Sequence, residues 1–339
     1  MRHAAIRSFL AVSALGLALA NNGIAGVNRW TIATPSVRVD ALAADPYNAK
    51  TLYAAGPESV ARSTDGGATW TNVTVPDLKF ASAMRVAPSL PSTIYILGFT
   101  ELFVSNTSGI AWTQRTVPSS SNFPLDLQVD AKNARSLVIA AANFCFLGCS
   151  GGGVFRSDDG GGSWHRIGFK DQNVSHVALD PSSTKTIYAA TETALFKTTN
   201  GGDSWAIISP DAVTRVGSIA VDAVLPSTIY TGTNLGVFRS LDAGRTWELV
   251  RPSDYGGSVV TAPFASRNAL ATGGSLALTS DQGETWMELR SPNADFDFRG
   301  LSQMIVSDGI CYLVANLGGT DGHVLAYEVR PPRRRAAHH

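Results

Sequence analysis

Several acidic side chains of this sequence stand in irregular segments between short β-branched and aromatic runs, where two carboxylates could meet. A pair of carboxylates a few ångströms apart can hydrolyse a glycosidic bond, one as general acid and the other as base or nucleophile. The candidates for such chemistry are Glu58, Glu101, Glu192 and Asp297. The alternative is that they are ordinary solvated loop residues, because surface loops are polar whatever their function.

A second group in the same kind of segment could hold an anionic or hydrogen-bonding ligand. Its members are Arg38, Arg215, Arg251, Tyr255 and Arg299. Guanidinium groups bind carboxylates through two parallel hydrogen bonds, and tyrosine combines an apolar ring with one polar end. We predict that these side chains contribute to a ligand-binding surface, and we predict no cofactor.

The cysteines and histidines do not have the spacing of metal ligands, so no metal site is predicted. Cys145 and Cys149 lie in one short segment. In an oxidising compartment they are predicted to form a disulfide that closes a small loop. Cys311 lies in an apolar run and is predicted to be a buried thiol.

An internal repeat predicts the elements that must position these residues. Tryptophan recurs at intervals of 39 to 52 residues, at Trp30, Trp70, Trp112, Trp164, Trp205, Trp247 and Trp286. A period of about 40 residues is that of a four-stranded propeller blade. Each unit contains short β-branched and aromatic runs bounded by Gly, Pro, Asp and Ser, which predicts four short strands.

An eight-residue motif ends at most of these tryptophans. It has the form S-x-D-x-G-x-T-W in residues 63–70, and a worn copy occupies residues 105–112. The turn residues and tryptophans of the better copies are Asp65 and Trp70, Asp159 and Trp164, Asn200 and Trp205, Asp242 and Trp247, and Asp281 and Trp286. A short carboxylate at a tight turn accepts main-chain N–H bonds, and glycine adopts conformations that other residues resist. We predict a structural role and not a calcium site, because one carboxylate per turn supplies too few ligands.

The motif resembles the Asp-box, or bacterial neuraminidase repeat, of a group of β-propellers, and the resemblance extends over essentially the whole predicted mature chain. It implies an all-β fold with a single seven-bladed β-propeller. The ring is expected to close when the N-terminal strand, within residues 28–35, pairs into the last blade. The motif turns would share one face of the disc, and the candidate site residues would lie on the opposite face, around the central depression.

Proteins with this motif differ in function. Sialidases carry an Arg-Ile-Pro segment, an arginine triad and a tyrosine nucleophile, and this sequence contains no Arg-Ile-Pro. Xyloglucan-cleaving hydrolases place a carboxylate pair in the cleft between two propellers, whereas this sequence predicts a single propeller. Photosystem assembly factors and sortilin-like domains bind proteins or peptides. The resemblance implies a non-catalytic binding or scaffold protein that recognises a protein or glycan on the face opposite the motif turns, at the central depression; the signal peptide predicted over residues 1–20 makes it an exported one. The alternative is a carbohydrate-active hydrolase or lyase that uses carboxylates on the same face.

The two ends of the sequence are predicted to lie outside the propeller. Residues 1–20 combine a positive start, an apolar run and a small-x-small site that ends at Ala20, so we expect a signal peptide and a secreted or periplasmic protein. The propeller is expected over residues 21–330, followed by a disordered basic tail at 331–339. Six of the 27 basic residues lie at the two ends, which leaves an acidic body that is a poor partner for nucleic acid. No segment is long and apolar enough to span a membrane, and we expect a monomer.

Overall fold

The computed structural model describes residues 30–32, 38–48, 50–118, 122–143, 151–253, 259–261, 269–272, 275–289, 301–307, 310–316 and 322–328. The predicted signal peptide with its cleavage site, the predicted tail, Cys145 and Cys149 lie outside these residues. The described part of the chain is all-β and forms 28 strands, with no helix among them.

Short runs of β-branched, aromatic and small apolar residues form the strands, and turns rich in Gly, Pro, Asp and Ser end them. The first strand is β1 (Trp30–Ile32). Sheet 1 contains β2 (Ala41–Ala44), β3 (Leu52–Gly56), β4 (Ser59–Ser63) and β5 (Thr71–Thr74). Sheet 2 contains β6 (Ala83–Val86), β7 (Ile94–Leu97), β8 (Glu101–Ser105) and β9 (Thr113–Thr116). Sheet 3 contains β10 (Asn122–Val129), β11 (Leu137–Asn143), β12 (Gly153–Ser157) and β13 (His165–Gly168).

The second half of the chain continues the pattern. Sheet 4 contains β14 (Val174–Leu179), β15 (Ile187–Thr191), β16 (Leu195–Thr198) and β17 (Ala206–Ile207). Sheet 5 contains β18 (Val216–Val221), β19 (Ile229–Thr233), β20 (Gly236–Ser240) and β21 (Glu248–Pro252). Sheet 6 contains β22 (Val259–Thr261), β23 (Ala269–Thr272), β24 (Leu276–Thr279) and β25 (Met287–Leu289). Sheet 7 contains β26 (Leu301–Ser307), β27 (Ile310–Asn316), β28 (Gly322–Glu328) and β1.

Sheets 1 to 6 each join four consecutive strands in antiparallel order. Sheet 7 differs, because its fourth strand comes from the other end of the chain. β1 pairs antiparallel with β28, and Trp30 lies opposite Tyr327. This pairing agrees with the expected position of the N-terminal strand.

Burial decreases from the inner strands of a sheet to its fourth strand. Every residue of β3 is buried, whereas Thr71, Asn72 and Thr74 of β5 are exposed. Inner strands are covered by neighbouring sheets on both faces, so they are near-continuous apolar runs instead of alternating ones. The fourth strands lie at the edge, where polar side chains meet solvent.

The core lies between neighbouring sheets. Between sheets 2 and 3, for example, Tyr95 and Leu102 pack with Leu127 and Phe155. The first strands of consecutive sheets contact one another, and β26 contacts both β22 and β2. Four-stranded antiparallel sheets that pack face to face through their first strands are consistent with a β-propeller.

The repeated motif forms a turn between the third and fourth strands, which we call the box turn. In the box turn of sheet 1, the Oγ of Ser63 accepts a hydrogen bond from the Gly67 N–H at 2.8 Å. The two carboxylate oxygens of Asp65 accept from the N–H and the hydroxyl of Thr69, at 2.9 and 2.6 Å. The turns at Asp159, Asp242 and Asp281 repeat these bonds. The predicted carboxylate-capped turn is therefore present as local geometry.

The hydrogen bonds of the box turn favour the ionised carboxylate. Those that Ser163 donates hold the pKa of Asp159 well below its usual value, and those that Thr246 donates do the same for Asp242. Asn200 takes the same position in sheet 4, where its Oδ1 accepts from the Ser204 N–H and its Nδ2 donates to the Ser204 hydroxyl. A neutral amide thus forms the same turn without the charge.

The box-turn tryptophans use their indole N–H in two ways. Trp70 and Trp112 donate to the main-chain oxygens of Gly67 and Gly109 within their own turns. Trp205 donates instead to Ile167 O at 3.0 Å, in the preceding sheet. Trp70 and Trp112 therefore close their own turns and Trp205 fastens two sheets together, whereas the buried indole N–H groups of Trp164 and Trp286 have no hydrogen-bond partner among the described residues.

Candidate functional site

The turns lie on two opposite faces. Box-turn amides bind the strand 1–2 turn of their own sheet: Gly66 N–H donates to Lys50 O, and Gly201 N–H donates to Lys185 O. We call this side the box face. On the other side, strand 2–3 turns bind the segments that connect consecutive sheets, as when the Glu58 N–H donates to Leu78 O. We call this side the connection face.

The predicted carboxylates lie on three different sheets and form no pair among the described residues. Glu58 binds Lys79 at 2.6 Å, both side chains are more than 60% exposed, and the hydrogen bond from Lys79 lowers the pKa of Glu58. Glu101, the first residue of β8, accepts hydrogen bonds from the N–H and hydroxyl of the adjacent Thr100. Glu192 is exposed in the turn of sheet 4. Asp297 lies outside the described residues.

The predicted ligand-binding arginines have separate environments. Arg38 Nε donates to Asp40 Oδ1 at 2.9 Å. Burial raises the pKa of that carboxyl, although Arg38 opposes the shift. The Arg215 side chain is exposed, while its main-chain N–H donates to Asn234 Oδ1. Tyr255 and Arg299 lie outside the described residues.

Arg251 corrects the sequence-based placement, which put it in a connecting loop. It lies in β21 and is buried, because that strand pairs with β20 and packs towards sheet 6. Its Nη2 donates to Ser275 Oγ at 2.8 Å and to Glu288 Oε1 at 2.9 Å, both in sheet 6. The side chain therefore fastens two sheets together.

A charged cluster that the sequence did not reveal lies on the first strands of sheets 2, 3 and 4. Arg85 Nη2 lies 3.0 Å from Asp126 Oδ1, and His176 Nδ1 lies 3.9 Å from Asp126 Oδ2. Asp126 also accepts from the N–H groups of Leu127 and Val177. We call Arg85, Asp126 and His176 the inner charge cluster. It brings one carboxylate, one guanidinium and one partly exposed imidazole together across three sheets.

Asp126 and His176 each follow a bulge in the first strand of their sheet. The structure places them in β10 and β14, directly after irregularities in strand register between Pro124 and Asp126 and between Val174 and His176. A bulge adds one residue to a strand and redirects the side chain that follows. Asp126 and His176 each lie four residues before the turn that follows the first strand of their sheet, and Ser218 has the equivalent position in β18. This shared spacing is the only feature of the sequence that relates the two residues.

An aromatic cluster lies on the connection face beside these strands. The rings of Phe80 and Phe99 stack with centroids 5.0 Å apart, and Phe99 meets Phe123 edge-on at 4.9 Å. Phe80 precedes β6, Phe99 lies in the β7–β8 turn and Phe123 lies in β10. Phe99 is 41% exposed. We call these three residues the aromatic shelf, and exposed aromatic groups of this kind are frequent in binding surfaces.

The described residues contain no group of three or more His, Cys, Asp or Glu side chains that could hold a metal ion. In the same part of the chain, no helix is long and apolar enough to cross a membrane.

No family model matches the sequence, and no curated protein matches it. Solved structures do match the fold. An ancestral GH74 enzyme gives a TM-score of 0.63 at 19% identity, over 86% of this chain and 46% of that one. The GH74 xyloglucanase from Xanthomonas campestris gives 0.60 at 17% identity, over 84% and 51%. This chain therefore spans about half the length of the GH74 enzymes it matches.

A second kind of protein matches over nearly its full length. YCF48 bound to a D1 peptide gives a TM-score of 0.64 at 14% identity, over 89% of this chain and 98% of that one. YCF48 from Cyanidioschyzon merolae gives 0.63 at 14% identity, over 88% and 98%. At these identities the likeness concerns the fold alone, and a β-propeller is common to the GH74 enzymes and to YCF48.

Proposed function

We propose that this chain is an exported, non-catalytic, Asp-box propeller that binds an extended segment of another protein on its connection face. Its seven sheets are the blades of one ring, which the pairing of β1 with β28 closes. The aromatic shelf carries the proposal, because a partly exposed stack of Phe80, Phe99 and Phe123 offers an apolar anchor point. The inner charge cluster and the Lys79–Glu58 pair add polar groups around it, as at the rim of protein interfaces.

Two further observations favour binding over hydrolysis. The described candidate carboxylates lie on different sheets and do not form the close pair that glycoside hydrolysis requires. The YCF48 structures match over almost their entire length, and one of them is bound to a peptide. The GH74 enzymes match over about half of theirs.

The test is a comparison of the wild-type chain with Phe99→Ala on an array of synthetic peptides of randomised sequence. We expect the wild type to retain peptides rich in apolar residues and Phe99→Ala to lower their affinity about tenfold. Ile110→Ala is the matched control, because Ile110 is an exposed apolar residue of the same sheet on the box face. Equal losses in both variants, or no peptide bound, would contradict the proposal. Release of reducing ends from xyloglucan oligosaccharides would support the hydrolase alternative instead.

A further inference from the structure

A groove of about 580 Å³ lies on the outer rim, between the edge of sheet 4 and the box turn of sheet 5. It is independent of the connection face and of the function proposed above. Its lining residues include Lys197, Thr199, Ser204, Trp205, Ser209 and Arg245. The groove is lined by two basic side chains and by no acidic one.

The groove is open because β17 has only two residues, whereas the other described fourth strands have three to five. The ladder of β17 ends when the Leu195 N–H donates to the Ser209 hydroxyl at 2.8 Å instead of to a main-chain oxygen. Pro210 follows directly, and proline has no N–H with which to continue the ladder.

One departure from the repeat and one residue at a variable position of the motif give the groove its basic lining. Sheet 4 has Asn200 where the other well-kept turns have aspartate, so the side chain that contacts Ser204 is uncharged. The same turn also carries the exposed Asp203, which is not among the residues that line the groove. The box turn of sheet 5 contributes Arg245, which is exposed. Asp242, in that same turn, accepts hydrogen bonds from Thr246 and from the Arg245 N–H, so both of its carboxylate oxygens are bound within the turn.

Lys197 completes the positive charge. Its Nζ donates to Ala243 O at 3.0 Å and lies 5.4 Å from the centroid of the Tyr188 ring. An ammonium group has three N–H donors, so further donors are available to a ligand. Burial lowers the pKa of Lys197 and Arg245 lowers it further, whereas the carboxylates of Asp180 and Asp242 oppose the shift.

The uncharged lining fits a hydroxyl-rich ligand. Ser204 Oγ and Ser209 Oγ each accept a hydrogen bond from the protein, so each hydroxyl hydrogen can be donated into the groove. The Trp205 indole N–H is already bound to Ile167 O, which leaves the indole ring as an apolar wall. An acidic peptide is a poorer fit, because two residues of β17 are a short edge for strand addition.

We propose that this groove binds an acidic saccharide, with a uronate carboxylate at Arg245 and Lys197 and sugar hydroxyls at Ser204 and Ser209. The planar guanidinium of Arg245 matches a carboxylate through two parallel hydrogen bonds. The ring of the sugar lies along Trp205.

Calorimetric titration of the full chain with oligogalacturonate tests the proposal. The methyl-esterified oligosaccharide, which has the same framework without the charge, is expected to bind at least about tenfold more weakly. Arg245→Gln is expected to weaken oligogalacturonate binding about tenfold. Lys50→Gln, which removes an exposed cation from the box face of sheet 1, is expected to leave the affinity unchanged.

The Asn200→Asp variant tests whether ligand affinity can fall while the fold stays intact. Aspartate forms the same turn in other sheets, so the variant is expected to fold with a melting temperature no lower than that of the wild type. It places a carboxylate beside Ser204 and is expected to weaken oligogalacturonate binding several-fold. Three results would each overturn the proposal: equal affinity for the methyl ester, equal affinity in Arg245→Gln, or polyglutamate bound as tightly as oligogalacturonate. Absence of binding by the folded wild type at millimolar ligand would do the same.

Discussion

The Nη1 of Arg239 donates a hydrogen bond to the main-chain oxygen of Gln282 at 2.7 Å, so β20 of sheet 5 is fastened to the box turn of sheet 6. Equivalent contacts join other neighbours. Arg115 of sheet 2 donates to Gly160 O in the box turn of sheet 3, and Lys197 donates to Ala243 O. Box-turn oxygens are thus acceptors for cations of the preceding sheet.

We predict that Arg239→Met lowers the free energy of unfolding by about 2 kcal/mol. The Arg239 side chain is only 4% exposed and also binds Glu248 and Glu284, so the substitution removes three charge-assisted hydrogen bonds. Both glutamates are mostly exposed and remain solvated, which limits the loss. Urea denaturation measures the effect, and Arg245→Gln, an exposed box-turn arginine, is the control. A change below about 0.5 kcal/mol would show that the contact is not stabilising.

The low pKa of the box-turn aspartates predicts sensitivity to acid. The pKa of Asp242 in the folded chain lies below the unfolded value of about 3.9. Its stabilisation is therefore complete above that value and is lost as pH falls from the unfolded towards the folded pKa. We expect the difference in unfolding free energy between the wild type and Asp242→Asn to shrink as pH falls from about 5 to about 3. A difference that is constant over this range would contradict the assignment.

Alanine substitutions at two glycines distinguish the stability cost of a steric clash from the cost of backbone strain. Gly161 has φ of +92°, and a Cβ there would lie 2.3 Å from Leu102 Cδ2; Gly201 has φ of +81° with open space around it. Gly201→Ala is expected to cost about 1 kcal/mol from conformation alone. Gly161→Ala is expected to cost about 2–4 kcal/mol, because the clash adds to the strain. Equal melting temperatures for the two variants would argue against the close packing of the Asp159 turn on sheet 2.

The inner charge cluster is expected to hold sheets 2 and 3 together. Asp126→Asn removes the charge that pairs with Arg85 and replaces one acceptor by a donor facing an N–H group. We predict a loss of about 2 kcal/mol in unfolding free energy. A double-mutant cycle with Arg85→Met measures the coupling between the two residues. Additive effects would mean that Arg85 and Asp126 stabilise the fold independently.

The aromatic shelf and the groove between sheets 4 and 5 show why site residues are harder to predict than strands. Phe80, Phe99 and Phe123 lie in three separate segments, and no spacing in the sequence relates them. The sequence predicts a connecting loop at Arg251, whereas its burial depends on Ser275 and Glu288 in the next sheet. Asn200, by contrast, was visible as an exception within the motif, although its position on a groove was not.

The sequence alone determined the all-β class, the four-stranded unit, the turn chemistry of Asp65, Asp159, Asp242 and Asp281, and the partner of the N-terminal strand. These features follow from local hydrogen bonding and from a pattern that repeats along the chain. Tertiary structure decided which irregular residues meet: Arg85 with Asp126, Phe99 with Phe80, and Lys197 with the turn of the next sheet. Such contacts depend on register shifts, strand lengths and the stacking of sheets. Those are properties of the packed molecule, because one extra residue in a strand redirects every side chain that follows.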